Sequence, residues 1–225
     1  LPELGFRLPI YQMGMAICAL LLSHSALAQT RAGPQLVLAY GDSLTAGYQL
    51  RPGEGFAPQL EKALRARGRD VVVVGAGVSG DTSTQGRARL NWVLAGLKQV
   101  PDVVVLELGA NDMLRGQPPA TTKANLDAMV KAFKAKGSRV LLAGMRATPN
   151  LGRAYVAEFE ALYPAVAKAN RVAFHPFFLD GVAARKPLLL ADGMHPNARG
   201  VQVIVQRILP AVERELDARG TSAAP

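Results

Sequence analysis

Ser43 sits in Gly41-Asp42-Ser43-Leu44, directly after the apolar run Leu36–Tyr40 and shortly before Gly47. A serine that closes a buried strand and opens a helix exposes its hydroxyl, and the N–H groups of the turn point toward it. Such a hydroxyl suits nucleophilic acyl transfer, provided that a base takes its proton. The chain has three histidines. His24 lies in a segment expected to be removed. His175, in Phe174-His175-Pro176-Phe177-Phe178, is flanked by aromatics and reads as a packed structural residue. His195 follows Asp192 by three residues in Asp192-Gly193-Met194-His195-Pro196-Asn197. One turn can then bring the carboxylate to imidazole Nδ1–H and leave Nε2 facing a serine, with Asp192 fixing the tautomer and stabilising the imidazolium. Asp192 equally suits a turn or helix cap, with His195 merely exposed.

Acyl transfer also needs donors aimed at the developing oxyanion. The candidates are the backbone N–H of Ser43, the backbone N–H of Gly80 and the side-chain amide of Asn111. Gly80, in Val78-Ser79-Gly80-Asp81-Thr82, precedes a helix and is also compatible with a simple left-handed turn. Asn111, after Glu107-Leu108-Gly109-Ala110, closes a strand where an Asx turn or cap would serve as well.

The elements that must position these residues alternate along the chain. Strands are predicted at Leu36–Tyr40, Val71–Gly75, Val103–Leu108, Val140–Met145 and Arg171–Phe174. Helices are predicted at Phe56–Arg67, Thr82–Leu97, Ala120–Lys136, Ala154–Lys168 and from Asn197 to about Leu216. Near-continuous apolar strands separated by helices imply an α/β fold, a three-layer α/β/α sandwich around a five-stranded parallel sheet of flavodoxin-like order 2-1-3-4-5. Gly68 and Gly137 sit where helix C-caps belong, and Pro101 restricts entry to the third strand. Ligands in open α/β sheets bind at the carboxyl ends of the strands. The first three strands lead straight into the turns of Ser43, Gly80 and Asn111, so three glycine-rich turns should converge at one edge.

With 225 residues, 49% hydrophobic and 19% charged, the chain fits one sizeable core and a globular class. Arg7, the apolar run Met13–Leu22 and the small-residue pattern Ala26-Leu27-Ala28 read as a secretory signal peptide over residues 1–28, too short to span a bilayer. A short linker (29–34), a single α/β domain (35–218) and a disordered tail (219–225) are expected to follow. Cleavage would remove Cys18, the single cysteine, and the mature chain is then expected in the periplasm or secreted, without internal disulfides. A formal charge of +9 predicts transient attraction to anionic surfaces such as phospholipid head groups, or else a solvated basic surface. No Lys/Arg run interleaved with aromatics points to nucleic acid.

Four blocks in order, Gly41-Asp42-Ser43-Leu44, Ser79-Gly80-Asp81-Thr82, Gly109-Ala110-Asn111-Asp112 and Asp192–Asn197, resemble those of the SGNH (GDSL-type) hydrolase family. The similarity is greatest to the branch of periplasmic thioesterase I / lysophospholipase enzymes and bacterial arylesterases. It extends from about Gln35 to Leu216 and includes Leu90 and the stretch Gly144–Gly152. The absence of a Gly-x-Ser-x-Gly elbow around Ser43 argues against the α/β-hydrolases. The resemblance implies Ser43 as nucleophile, His195 as base oriented by Asp192, an oxyanion hole of Ser43, Gly80 and Asn111, and Asp42 organising the serine turn. It implies no metal and no cofactor.

A mobile loop in the family matches Asp112–Gln117, where Met113 and Leu114 would close over an acyl chain. Relatives acting on long chains carry leucine and proline after the arginine that matches Arg146. Ala147 and Thr148 stand here instead, which favours aryl or short-to-medium acyl esters. The expected protein is a monomeric serine esterase on small-molecule or lipid esters, extending to lysophospholipids and thioesters. The alternatives are a carbohydrate O-deacetylase with the same machinery and a non-catalytic periplasmic ligand-binding module.

Overall fold

The computed structural model describes residues 33–220; the expected signal peptide, most of the linker and residues 221–225 lie outside the described residues. Five strands form one parallel sheet in the order β2-β1-β3-β4-β5. They are β1 (Gln35–Gly41), β2 (Val71–Gly77), β3 (Val103–Glu107), β4 (Arg139–Ala143) and β5 (Ala173–His175). This is the architecture expected from the alternating pattern. The central strands are buried on both faces, which is why they read as unbroken runs such as Val103-Val104-Val105-Leu106.

Among the described residues seven α-helices connect and cover the sheet: α1 (Ser43–Ala46), α2 (Phe56–Ala66), α3 (Ser83–Ala95), α4 (Ala110–Leu114), α5 (Pro119–Ala135), α6 (Arg153–Asn170) and α7 (Ala198–Gly220). Helices α2 and α7 pack together against one face, and α3, α5 and α6 against the other. The core between them contains Leu38, Tyr40, Leu106, Phe133 and Phe159, all fully buried. Boundary signals act where the sequence places them. Thr82 and Gln85 close a capping box on α3, Pro119 opens α5, and Asn197 Oδ1 accepts from the N–H groups of Arg199 and Gly200 to start α7.

The strand bounds differ from the expected spans by one or two residues, and at β5 the cause is a helix end. Arg171 adopts a left-handed φ of 52° and caps α6, its N–H donating to the Lys168 carbonyl, so β5 starts at Ala173. The helix end consumes the residues that local β-propensity assigned to the strand.

Register aligns the functional turns. Gly41 pairs with Gly77 of β2 on one side and with Glu107 of β3 on the other. The chain therefore leaves the sheet at one level into Asp42-Ser43, Val78–Asp81 and Leu108–Asp112. Gly41 has no room for a side chain, since a Cβ there would lie 2.6 Å from both the carbonyl oxygen and Oε2 of Glu107. At the sheet margin, α2 supplies β2 with partners in place of a neighbouring strand. Val73 N–H donates to Glu61 Oε2 at 2.8 Å, Arg65 Nε donates to the Val71 carbonyl at 2.9 Å, and Glu61 and Arg65 pair with each other at 3.1 Å.

Candidate active site

Asp42 caps α1. Its Oδ1 accepts from Leu44 N–H at 3.0 Å, and its backbone carbonyl accepts from Ala46 N–H at 2.9 Å. This single helical turn holds Ser43 at its first position. The Ser43 N–H has no hydrogen-bond partner among the described residues. Across the sheet edge, Ser43 Oγ lies 2.9 Å from His195 Nε2, and His195 Nδ1 lies 2.7 Å from Asp192 Oδ2.

The two sequence readings of Asp192 prove compatible, because they use different oxygens. Oδ1 accepts from the N–H groups of Met194 (2.9 Å) and His195 (3.0 Å) and so shapes the turn, while Oδ2 faces the imidazole. These two backbone bonds, with the imidazole contact, hold the Asp192 carboxyl down at about 2. An ionised carboxylate at Nδ1 requires the proton there, which leaves the Nε2 lone pair turned to the Ser43 hydroxyl.

The oxyanion candidates converge on the same turn. Gly80 has φ +86°, a left-handed conformation that favours glycine, and its N–H has no partner among the described residues. Its carbonyl accepts from Arg115 Nη2 at 2.9 Å. Asn111 Nδ2 donates to Asp42 Oδ2 at 3.1 Å and to the Asp81 carbonyl at 3.0 Å. Asn111 thus ties the serine turn to the Gly80 segment.

Beneath the turn lie two buried carboxyl groups. Burial pushes Asp42 up to about 6, and burial together with the Asp42 charge pushes Glu107 well above the carboxylate range. The hydrogen bonds decide which group carries the charge. Asp42 receives donors on both oxygens, whereas Glu107 Oε2 takes Thr45 Oγ1 (2.8 Å) and Asp42 N–H (3.4 Å) and Oε1 has no partner. Glu107 is therefore the protonated member.

The structure separates the residues expected to line an acyl site. Asp112 to Leu114 are not loop but part of α4, anchored where Asp112 accepts from Ser83 N–H (2.7 Å), Ser83 Oγ (2.5 Å) and Thr122 Oγ1 (3.1 Å). Met113 is buried in the core beside Thr148, whose hydroxyl lies 3.7 Å from its sulfur, so only Leu114 of the pair is displayed. Ala147 is likewise buried, and the exposed Arg146 guanidinium lies 4.8 Å from the Phe177 ring centroid. His175 is half-buried and its Nε2 has no hydrogen-bond partner among the described residues; burial lowers its pKa.

Sequence reasoning missed Tyr48, whose ring stands 4.5 Å from that of His195. It also missed an apolar rim. Six large apolar side chains are exposed among the described residues, and four of them, Tyr48, Val78, Leu114 and Met194, lie in the segments that carry Ser43, Gly80, Asn111 and His195. A depression of about 730 Å³ beside α1 and β2 is lined by Leu50, Pro52, Lys62 and Gly75 among others, and includes none of Ser43, Asp192 or His195. Side-chain geometry, not cavity size, locates the chemistry. Among the described residues no group of three or more His, Cys, Asp or Glu is placed to hold a metal ion.

Residues 39–203 match the GDSL-like lipase/acylhydrolase family. The chain is 39% identical over 197 residues to Esterase TesA of Pseudomonas aeruginosa, covering 88% of this chain and 94% of that protein. It is 36% identical over 200 residues to an arylesterase of Vibrio mimicus, covering 89% and 98%. The crystal structure of AlinE4, an SGNH-hydrolase family esterase, superposes with a TM-score of 0.70 at 41% identity, covering 83% of this chain and 99% of that one.

Proposed function

The chain belongs to the GDSL-like lipase/acylhydrolase family, and from that premise we propose that it is a serine esterase working through an acyl-Ser43 intermediate. As Ser43 Oγ bonds to the ester carbonyl carbon, His195 Nε2 takes the hydroxyl proton and the carbonyl π pair moves onto oxygen. The N–H groups of Ser43 and Gly80 and the amide of Asn111 receive that oxyanion. Collapse expels the alcohol, which leaves with the proton from His195. A water then gives its proton to the same nitrogen and attacks the acyl carbon, and collapse of that second intermediate releases the acid while Ser43 Oγ takes the proton back from His195. Asp192 orients the imidazole and stays ionised throughout. The observation that carries these roles is the hydrogen-bonded series from Ser43 Oγ through His195 to Asp192 Oδ2 at 2.9 and 2.7 Å.

The substrates are aryl and short-to-medium acyl esters, with lysophospholipids and thioesters as extensions. The rim of Tyr48, Val78, Leu114 and Met194 supports apolar acyl or aryl groups over acetylated sugars, which a polar rim would suit better. Ala147 and Met113 are buried, so neither is displayed beside Arg146 to contact a long acyl chain. We place the protein in the periplasm after cleavage near Ala28, on the pattern of residues 1–28; no helix among the described residues is long and apolar enough to cross a membrane. The basic balance suits transient attraction to anionic lipid surfaces.

A panel of phenyl acetate, p-nitrophenyl esters of increasing length, lysophosphatidylcholine and acetylated glycans tests this function on wild type and Ser43→Ala. Turnover of the aryl and acyl esters, lost in Ser43→Ala, is expected. Turnover of the glycans alone would favour the deacetylase. No turnover, with no fluorophosphonate labelling of folded protein, would leave a binding module.

A further inference from the structure

Arg89 lies on α3, outside the four family blocks, and its guanidinium reaches two of them. Nε donates to Asp81 Oδ2 at 2.6 Å, and Nη2 donates to the Gly41 carbonyl at 2.9 Å. The side chain is 16% exposed and that of Asp81 is 10% exposed, so the ion pair is largely withdrawn from water. Its plane is held by Tyr40, whose ring centroid lies 4.2 Å from Cζ. Tyr40 is itself fixed, since its hydroxyl donates to the Gly86 carbonyl of α3 at 2.5 Å. Burial pushes that phenol up to about 12, so it remains a donor at any working pH.

Resting on the esterase function above, we propose that Arg89 is a positioning residue that ties the Gly80–Asp81 segment to the Gly41–Ser43 turn and so sets the spacing of the oxyanion donors. Gly41 is two residues before Ser43, and Asp81 directly follows Gly80. The two backbone donors therefore hang on the two segments that one rigid fork connects. Arginine does this where lysine cannot, because two N–H groups leave a planar group in fixed relative directions.

Asp81 neutralises the guanidinium charge, which makes the contribution one of geometry rather than of added field at the oxyanion. Positioning of this kind is worth having, because a misplacement of about 1 Å near reacting atoms can lower a rate ~10²-fold. Asn111 makes a second tie between the same segments through Asp42 Oδ2 and the Asp81 carbonyl. Loss of Arg89 should loosen the hole without abolishing it.

The test is steady-state hydrolysis of p-nitrophenyl butyrate by wild type, Ser43→Ala, Arg89→Ala and Arg89→Lys, with folding followed by circular dichroism. Arg89→Ala is expected to lower kcat by roughly 10- to 100-fold while KM changes by less than about twofold, the signature of an interaction felt in the transition state. Millimolar guanidinium should restore part of the Arg89→Ala rate, and Arg89→Lys should fall between wild type and alanine. A folded Arg89→Ala with wild-type kcat overturns the proposal. So does a loss that appears in KM, or one that only tracks the unfolded fraction and is not relieved by guanidinium. Should Arg89→Ala fail to fold, Arg89→Lys decides: reduced kcat at unchanged KM supports positioning, and wild-type kcat overturns it. An inactive wild type would instead refute the esterase function itself, a separate outcome.

Discussion

Asn111 Nδ2 lies 3.1 Å from Asp42 Oδ2, so the amide offered to an oxyanion is also the donor that satisfies a buried carboxylate. Its other hydrogen is engaged by the Asp81 carbonyl at 3.0 Å. Both hydrogens of the amide are thus engaged in assembling the turn, and the proposed donation to an oxyanion requires one of them to exchange its acceptor.

Replacing Asn111 with alanine should consequently cost twice over. Removal of an oxyanion donor predicts a kcat loss of about 10²–10³-fold. Leaving Asp42 Oδ2 buried without that partner predicts roughly 1–3 kcal/mol of lost stability. Kinetics and urea unfolding on the same preparation separate the two; a variant slow in turnover but fully stable would mean that Asp42 finds a substitute donor.

Ser43→Ala and His195→Ala should each remove nearly all ester hydrolysis without unfolding the protein. Asp192→Ala should be milder, on the order of 10⁴-fold against ~10⁶-fold for the other two, because Asp192 orients rather than reacts. His175→Ala should stay active. Inactivity of His175→Ala beside an active His195→Ala would reverse the assignment of the base.

Glu107 and Asp42 make stability depend on pH in a definite sense. Both carboxyls are raised in the fold, Asp42 from 3.8 to about 6 by burial, so protonation is favoured in the native state. Their contribution is fully present below the unfolded values and is lost as pH climbs through 6 and beyond. Glu107→Gln removes one of the two ionisations while keeping an oxygen for Thr45 Oγ1 and Asp42 N–H. Thermal melts at pH 5 and pH 8 should show the variant gaining on wild type at the higher pH; equal differences at both would mean that Glu107 ionises in the fold as it does in the unfolded chain.

Leu114 is exposed while its neighbour Met113 is buried. Leu114→Ser should lower kcat/KM for a hexanoyl ester by roughly five- to tenfold and leave an acetyl ester nearly unchanged, in line with ~0.8 kcal/mol per buried methylene. Equal losses on both esters would remove Leu114 from the acyl-contacting surface.

Much of this arrangement is legible locally. Apolar β-branched runs announce the central strands because both faces of a parallel sheet are covered, and the capping pair Thr82/Gln85 marks α3 three residues at a time. The short helices α1 and α4 are not legible, since a single turn has too little periodicity to register. They are held by tertiary bonds such as those of Asp112 to Ser83 and Thr122. Arg89 and Tyr48 escape notice for a related reason. The contact of Arg89 with Gly41 spans 48 residues and depends on Gly41 standing level with Gly77, a matter of sheet register. Met113 misleads in the opposite direction, because an apolar residue after a motif looks like a lid until packing shows it turned inward.

The pairing of Glu61 and Arg65 with the outer edge of β2 has a bearing on how the protein behaves in a crowded compartment. A free row of main-chain donors and acceptors invites a like strand from another molecule. Two charged side chains from the same polypeptide take the Val71 carbonyl and the Val73 N–H of that row and place an ion pair where a second copy would have to dock. A like strand could add to the sheet at this point only by first displacing the Glu61–Arg65 pair.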